Sequence, residues 1–124
     1  MPTRVYVCDS KDYEKLKKLM EYDPYLDKSL NDEQLSKIKD DKEANVIFAR
    51  QDYMIKDGIS VSLDSGKYYL YLSANEEFLQ QADPKLKKNI EGITRAEPDV
   101  EAKVVEVVET ERSESESGIG SIFG

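Results

Sequence analysis

The sequence contains no histidine and no tryptophan, and its only cysteine is Cys8. Histidine is the commonest catalytic base and a frequent ligand of transition metals, so its absence excludes Ser-His-Asp and Cys-His catalysis and histidine-based zinc sites. A single cysteine forms neither an intramolecular disulfide nor a thiolate cluster, which is typical of a reducing compartment. The sequence therefore predicts no catalytic residue, no metal site, no cofactor and a cytoplasmic location.

Long apolar runs are also missing. The longest uncharged stretches, such as residues 68–75, fall far short of the roughly 20 apolar residues that a membrane helix needs. The first residues lack the hydrophobic core of a signal peptide. The six glycines never form a phosphate-binding pattern such as GxGxxG or GxxxxGK[ST]. We therefore expect no membrane association, no export and no nucleotide hydrolysis.

Basic residues are scarce toward the C terminus. The formal net charge is −8, and residues 97–124 hold eight acidic residues against two basic ones, which is a local net charge of 2 − 8 = −6. A negative surface repels phosphate backbones and anionic lipids. The charge distribution thus disfavours nucleic acid as a partner.

Helices and several strands are expected in the first 109 residues, and a chain of this size suits a single domain. Helical spacing of apolar residues predicts helices at residues 11–22 and 31–39, the second of them capped by Asn31 or Ser29. Alternation predicts strands at residues 4–8, 45–56, 59–63 and 67–73, with a type I′ hairpin turn at Asp57-Gly58.

The later segments are expected to be short. Asn75 is suited to cap one helix, Asp83-Pro84 to open another, and Gly92 to end it. The run at 104–108 has a spacing that fits a helix and a β-branched composition that favours a strand, and we favour the strand. The predicted fold class is α+β: a small antiparallel sheet or partly closed barrel of about five strands, with N-terminal helices packed on it and a flexible C-terminal tail.

The composition divides the chain into two parts, a globular domain at residues 1–109 and a tail at residues 110–124. The tail begins as an acidic Ser/Glu linker and ends in an apolar peptide that carries Ile119, Ile122 and Phe123. A few apolar residues on a solvated spacer are typical of a short motif that docks into a groove of a partner. Two alternatives remain open, since the peptide could fold back onto its own domain or have no role.

Glu116, Ile119, Ile122 and Phe123 have the spacing of a known motif. The segment resembles the sliding-clamp-binding peptides, whose pattern is Gln, two residues, an aliphatic residue, two residues and two aromatic residues. Here Glu stands in place of Gln and Ile in place of the first aromatic residue. The resemblance implies a sliding clamp as one identity for the partner.

A second group of candidate residues is aromatic. Tyr68, Tyr69 and Tyr71 lie on one predicted strand and Tyr53 on a neighbouring one. If they faced solvent together, they could stack against a flat ligand, whereas cross-strand packing is the structural alternative.

These observations lead to one main hypothesis and one alternative. We expect a non-enzymatic adaptor or accessory subunit that binds a protein through Glu116, Ile119, Ile122 and Phe123. The alternative is a small-ligand-binding or regulatory domain that uses the tyrosine-rich face of the sheet.

Overall fold

The computed structural model describes the backbone of residues 2–42 and 44–123, and the side chains of residues 2–42 and 44–114. The helices and strands follow one another as β1 (Thr3–Asp9), α1 (Tyr13–Glu21), α2 (Asp32–Asp40), β2 (Asp52–Asp57), β3 (Lys67–Ser73), α3 (Glu76–Asn89), β4 (Thr94–Arg95) and α4 (Pro98–Phe123). Short 3-10 helices occupy Ser10–Asp12, Pro24–Leu26 and Phe48–Arg50.

The four strands form one antiparallel sheet in the order β2-β3-β1-β4. Apart from α2 and α4, the chain follows the β-α-β-β-α-β order of the split βαβ arrangement. The predicted mixture of helices and antiparallel strands is confirmed. The sheet is open, with β2 and β4 at its edges. The predicted fifth strand and the partly closed barrel are wrong.

Each face of the sheet is covered by helices, because the side chains of a strand point alternately to the two faces. On one face Tyr6 and Leu70 pack against α1 and α3. On the other face Val5 and Tyr71 pack against α4. The molecule therefore has three layers: α1 and α3, the sheet, and α4.

Several helix ends match their predicted caps. The side chain of Asn31 accepts a hydrogen bond from the backbone N–H of Gln34 (2.9 Å), and the side-chain oxygen of Gln34 accepts one from the backbone N–H of Asn31 (2.9 Å), which is a capping box. Asn75 accepts from the backbone N–H of Phe78 (2.7 Å) at the start of α3. After α3, Gly92 has a φ of +83°, a conformation that costs glycine little.

The predicted strand at 59–63 is wrong, as is the two-residue hairpin turn before it. The segment folds on itself, since Asp57 accepts from the backbone N–H of Ser60 (2.9 Å) and Gly58 accepts from that of Leu63 (2.7 Å). A Cβ at Gly58 would lie 1.6 Å from the carbonyl oxygen of Asp64, so glycine serves this close approach and not a positive φ. Of the alternating apolar residues here, only Val61 is fully buried.

The predicted start of a separate helix at Asp83-Pro84 is wrong, and a second proline, Pro98, lies at the start of a helix. Helix α3 continues through Pro84 without a break, and both Pro84 and Gln80 are exposed, so water can satisfy the carbonyl of Gln80 that proline leaves without a donor. Pro98 begins α4, a position where the missing N–H costs nothing. The predicted strand at 104–108 is therefore wrong and forms part of this helix, because burial against the sheet outweighs β-branched preference.

No helix among the described residues combines the length and the apolar character that crossing a membrane requires.

Candidate functional site

Helix α4 packs on the sheet through valines at helical spacing. Val104 and Val108 are both fully buried against Val5, Tyr69 and Tyr71. Residues four positions apart lie on the same side of a helix, so these two valines form the line of closest contact. The acidic residues of the same stretch, such as Glu106 and Glu109, are exposed.

The four candidate tyrosines do not share one face of the sheet. Tyr69 and Tyr71 lie under α4 and are each only 4% exposed. Tyr53 and Tyr68 lie on the opposite face, where they pack against the core beneath α1 and α3. The ring of Tyr68 stacks on that of Tyr13 at 4.3 Å between centroids. The structure thus brings the tyrosines together as two pairs separated by the sheet.

Two ion pairs fix α4 to the edge strand β2. Arg112 donates to both carboxylate oxygens of Asp52 (2.6 and 3.0 Å), and its guanidinium lies 5.3 Å from the ring centroid of Tyr71. One residue earlier, Glu111 accepts a hydrogen bond from Lys56. The hydrogen bonds from Arg112 lower the pKa of Asp52, because they stabilise the ionised carboxylate.

The predicted partner-binding residues lie beyond this attachment. Ser113 and Glu114 are exposed, and the backbone of α4 continues to Phe123. The side chains of Glu116, Ile119, Ile122 and Phe123 lie outside the described residues. The structure therefore shows how the base of the C-terminal segment is held, and the binding role of these four residues stays a prediction.

Cys8 is buried, and Asp23 and Asp27 each accept a hydrogen bond from a nearby side chain. Burial raises the pKa of Cys8 to about 11, so the thiol is protonated at neutral pH and is a poor nucleophile. Asp23 accepts from the guanidinium of Arg50 (2.8 Å), and Asp27 accepts from the side chain of Ser29 (2.6 Å). Within residues 2–42 and 44–114 no cluster of three His, Cys, Asp or Glu residues could hold a metal ion.

A groove on the opposite side of the molecule is the feature that sequence reasoning missed. A cleft of about 440 Å³ lies between α1 and the end of α3, and a second cleft of about 190 Å³ continues from it toward α2. Leu19 and Tyr22 line both clefts. We call the two together the α1 groove, lined among the described residues by Lys15, Lys18, Leu19, Tyr22, Pro24, Ile38, Ala44, Val46, Lys85, Asn89 and Ile90.

The α1 groove combines an apolar floor with basic side chains. Lys15 and Lys18 are exposed on α1, and Lys85 donates to the backbone carbonyl of Val46 (2.8 Å). No carboxylate lies among the described lining residues. Because its residues come from three separate segments, no local sequence pattern indicates the groove. The one local signal is Tyr22, an aromatic residue at the end of α1 that does not belong to the buried side of the helix.

Compared with protein-family models, with curated proteins and with solved structures, the chain matches none of them.

Proposed function

We propose that the protein is a non-enzymatic adaptor or accessory subunit that binds a protein partner through its C-terminal segment, residues 113–124. The observation that carries the proposal is the attachment of α4. Its described contacts with the sheet end at the ion pairs of Glu111 and Arg112, and the next two residues are exposed. The globular part thus supplies a fixed base for a segment that begins in solvent.

The sequence of the segment supplies the binding chemistry. Ile119, Ile122 and Phe123 are apolar residues within five positions, and the preceding Ser/Glu stretch has no apolar residue to bury. Short peptides of this kind obtain most of their affinity from a few anchors that enter a pocket. The three apolar residues are the anchors in this proposal, and Glu116 contributes charge.

The proposal is tested by capture from a cell extract with the full-length protein carrying an N-terminal tag. We expect the triple variant Ile119→Ser, Ile122→Ser, Phe123→Ser to lose at least tenfold of its specific partner, because it removes every anchor. The matched control changes three residues of the spacer, Ser113→Ala, Ser115→Ala and Ser117→Ala. If both variants retain the partners of the native protein, the proposed function is wrong.

A further inference from the structure

The α1 groove carries exposed apolar surface that the fold leaves uncovered. Tyr22, which lines both clefts of the groove, is 50% exposed. Leu19 and Ile38 are half-buried at the floor of the groove. Helix α2, which forms one wall, has no buried residue. A groove with an exposed tyrosine and partly exposed aliphatic residues is typical of a site of protein contact.

The charge around the groove selects the occupant. Lys15 and Lys18 stand at its edge, in a protein whose formal net charge is −8. On the neighbouring turn the carboxylate of Asp23 is paired with Arg50. Lys15 also lines a separate cleft that holds carboxylates, those of Asp9, Asp12 and Glu91, so Lys18 contributes more of the positive charge at the groove. An apolar floor with lysines at its edge is complementary to a segment that carries acidic residues followed by apolar ones.

The C-terminal segment of this chain has that composition in that order. Glu114 and Glu116 precede Ile119, Ile122 and Phe123, and ten residues of the chain, 115–124, lie beyond the last described side chain. The base of the segment is tied to β2 by Arg112 and to the face of the sheet under α4. The α1 groove lies on the opposite face, so a segment that docked on its own chain would have to pass around the edge of the sheet.

From this geometry we infer that the α1 groove binds the C-terminal segment of a second copy of this chain. The inference rests on the proposed function and names the partner of the same segment. Each copy carries one groove and one segment, so two copies that exchange segments close into a dimer with two equivalent contacts. The apolar residues contact Leu19 and Tyr22, and the glutamates lie near Lys15 and Lys18.

The test measures association of the full-length chain by sedimentation velocity over a range of concentrations. We expect a dimer that weakens at high salt, because charged contacts are screened. A groove variant, Lys15→Glu with Lys18→Glu, and a segment variant, Ile122→Ser with Phe123→Ser, should each weaken association at least tenfold. The matched control, Lys37→Glu with Lys39→Glu on α2, reverses the same number of charges away from the groove lining and should associate as the native chain does.

Mixing the two variants gives the decisive measurement. The groove variant still has a native segment and the segment variant still has a native groove, so the mixture should form a heterodimer through one contact although neither variant dimerises alone. Thermal melting of each variant checks folding, and Tyr22→Ser tests the apolar floor without a change of charge.

Three results would overturn the inference. The native chain could stay monomeric at every concentration, the mixed variants could fail to associate, or NMR could show the segment docked on its own chain within a monomer. If the chain is monomeric but the triple variant Ile119→Ser, Ile122→Ser, Phe123→Ser still loses its partners from the extract, only this inference fails. If the triple variant changes neither the capture of partners from the extract nor the association of the chain, the proposed function fails as well.

Discussion

The two faces of the sheet differ in how the chain covers them. The face under α1 and α3 buries fourteen described residues drawn from Tyr6 to Ile93, whereas the face under α4 buries seven. The first face includes side chains from two helices, two strands and the loop at Val46. The second face is covered mainly by one helix, α4, which follows all four strands in the sequence. The comparison indicates that the α1 and α3 face is the folding core, and that α4 is a layer packed onto it.

Residues on one strand allow a direct comparison of the two faces. On β3, Leu70 points to the core under α1 and α3, and its neighbour Tyr71 points to α4. On β1 the same alternation places Tyr6 on the first face and Val5 on the second. The hydroxyl of Tyr6 donates to Asp83 (2.8 Å), and burial raises the pKa of Tyr6 to about 12. The first face therefore also holds a satisfied polar contact between strand and helix.

The largest effect is expected from Leu70→Ala, which removes a fully buried side chain from the folding core. Deleting a leucine side chain from a core costs about 2–5 kcal/mol, because transfer free energy is lost and a cavity remains. Chemical denaturation should show this loss in the free energy of unfolding. The control Leu26→Ala makes the same chemical change at an exposed site and should cost about 0.5 kcal/mol or less. Similar losses in both variants would contradict the assignment of the core.

The parts of the fold that could be predicted from sequence are those fixed by local chemistry. The strand predicted at 67–73 matches β3 because the alternating residues of this segment do point to opposite faces of the sheet. Asn31 caps α2 as expected. The strand predicted at 59–63 fails because a close backbone approach within the segment replaces the extended chain, and the strand predicted at 104–108 fails because a contact distant in sequence decides it. Gly58 lets the chain approach Asp64 closely, and the sheet gives α4 a surface on which to bury its valines.

The candidate sites divide in the same way. The C-terminal segment is visible in the sequence because its composition changes within a few residues. The α1 groove is not, because it forms only when residues of α1, of α2 and of the end of α3 come together in the folded chain. The separation of the four tyrosines into two pairs follows from strand pairing, since Tyr53 lies opposite Leu72 and not opposite Tyr69 or Tyr71.

A smaller effect is expected from Val104→Ala, which weakens only the contact of α4 with the sheet. Removing two carbons from a buried valine costs about 1–2 kcal/mol at about 0.8 kcal/mol per methylene. Hydrogen exchange should show faster exchange along α4 while β1 and β3 keep their protection, because layers can open separately. Glu106→Ala, at an exposed site of the same helix, is the control. Equal loss of protection in α4 and in β3 would show that α4 is not a separable layer.

The smallest effect is expected from Asp52→Asn, which breaks the ion pair at the end of the α4 contact. The side chains of Arg112 and Asp52 are 39% and 41% exposed, so the pair contributes less than about 1 kcal/mol. Because Arg112 lowers the pKa of Asp52 in the folded state, the pair stabilises the protein above the ordinary pKa of an aspartate, about 3.9. That contribution disappears as the pH falls through the lowered folded-state pKa.

The difference in the free energy of unfolding between Asp52→Asn and the native protein should therefore be greatest near neutral pH. It should shrink once the pH falls below about 4. Glu106→Gln removes one negative charge from an exposed site of α4 and should show no comparable dependence on pH. A difference that stayed constant from pH 7 to pH 2 would mean that the asparagine acts through packing and not through the lost charge. In that case α4 would be held at its end by the contact of Arg112 with the ring of Tyr71, and the distinction between the two faces would depend on apolar burial alone.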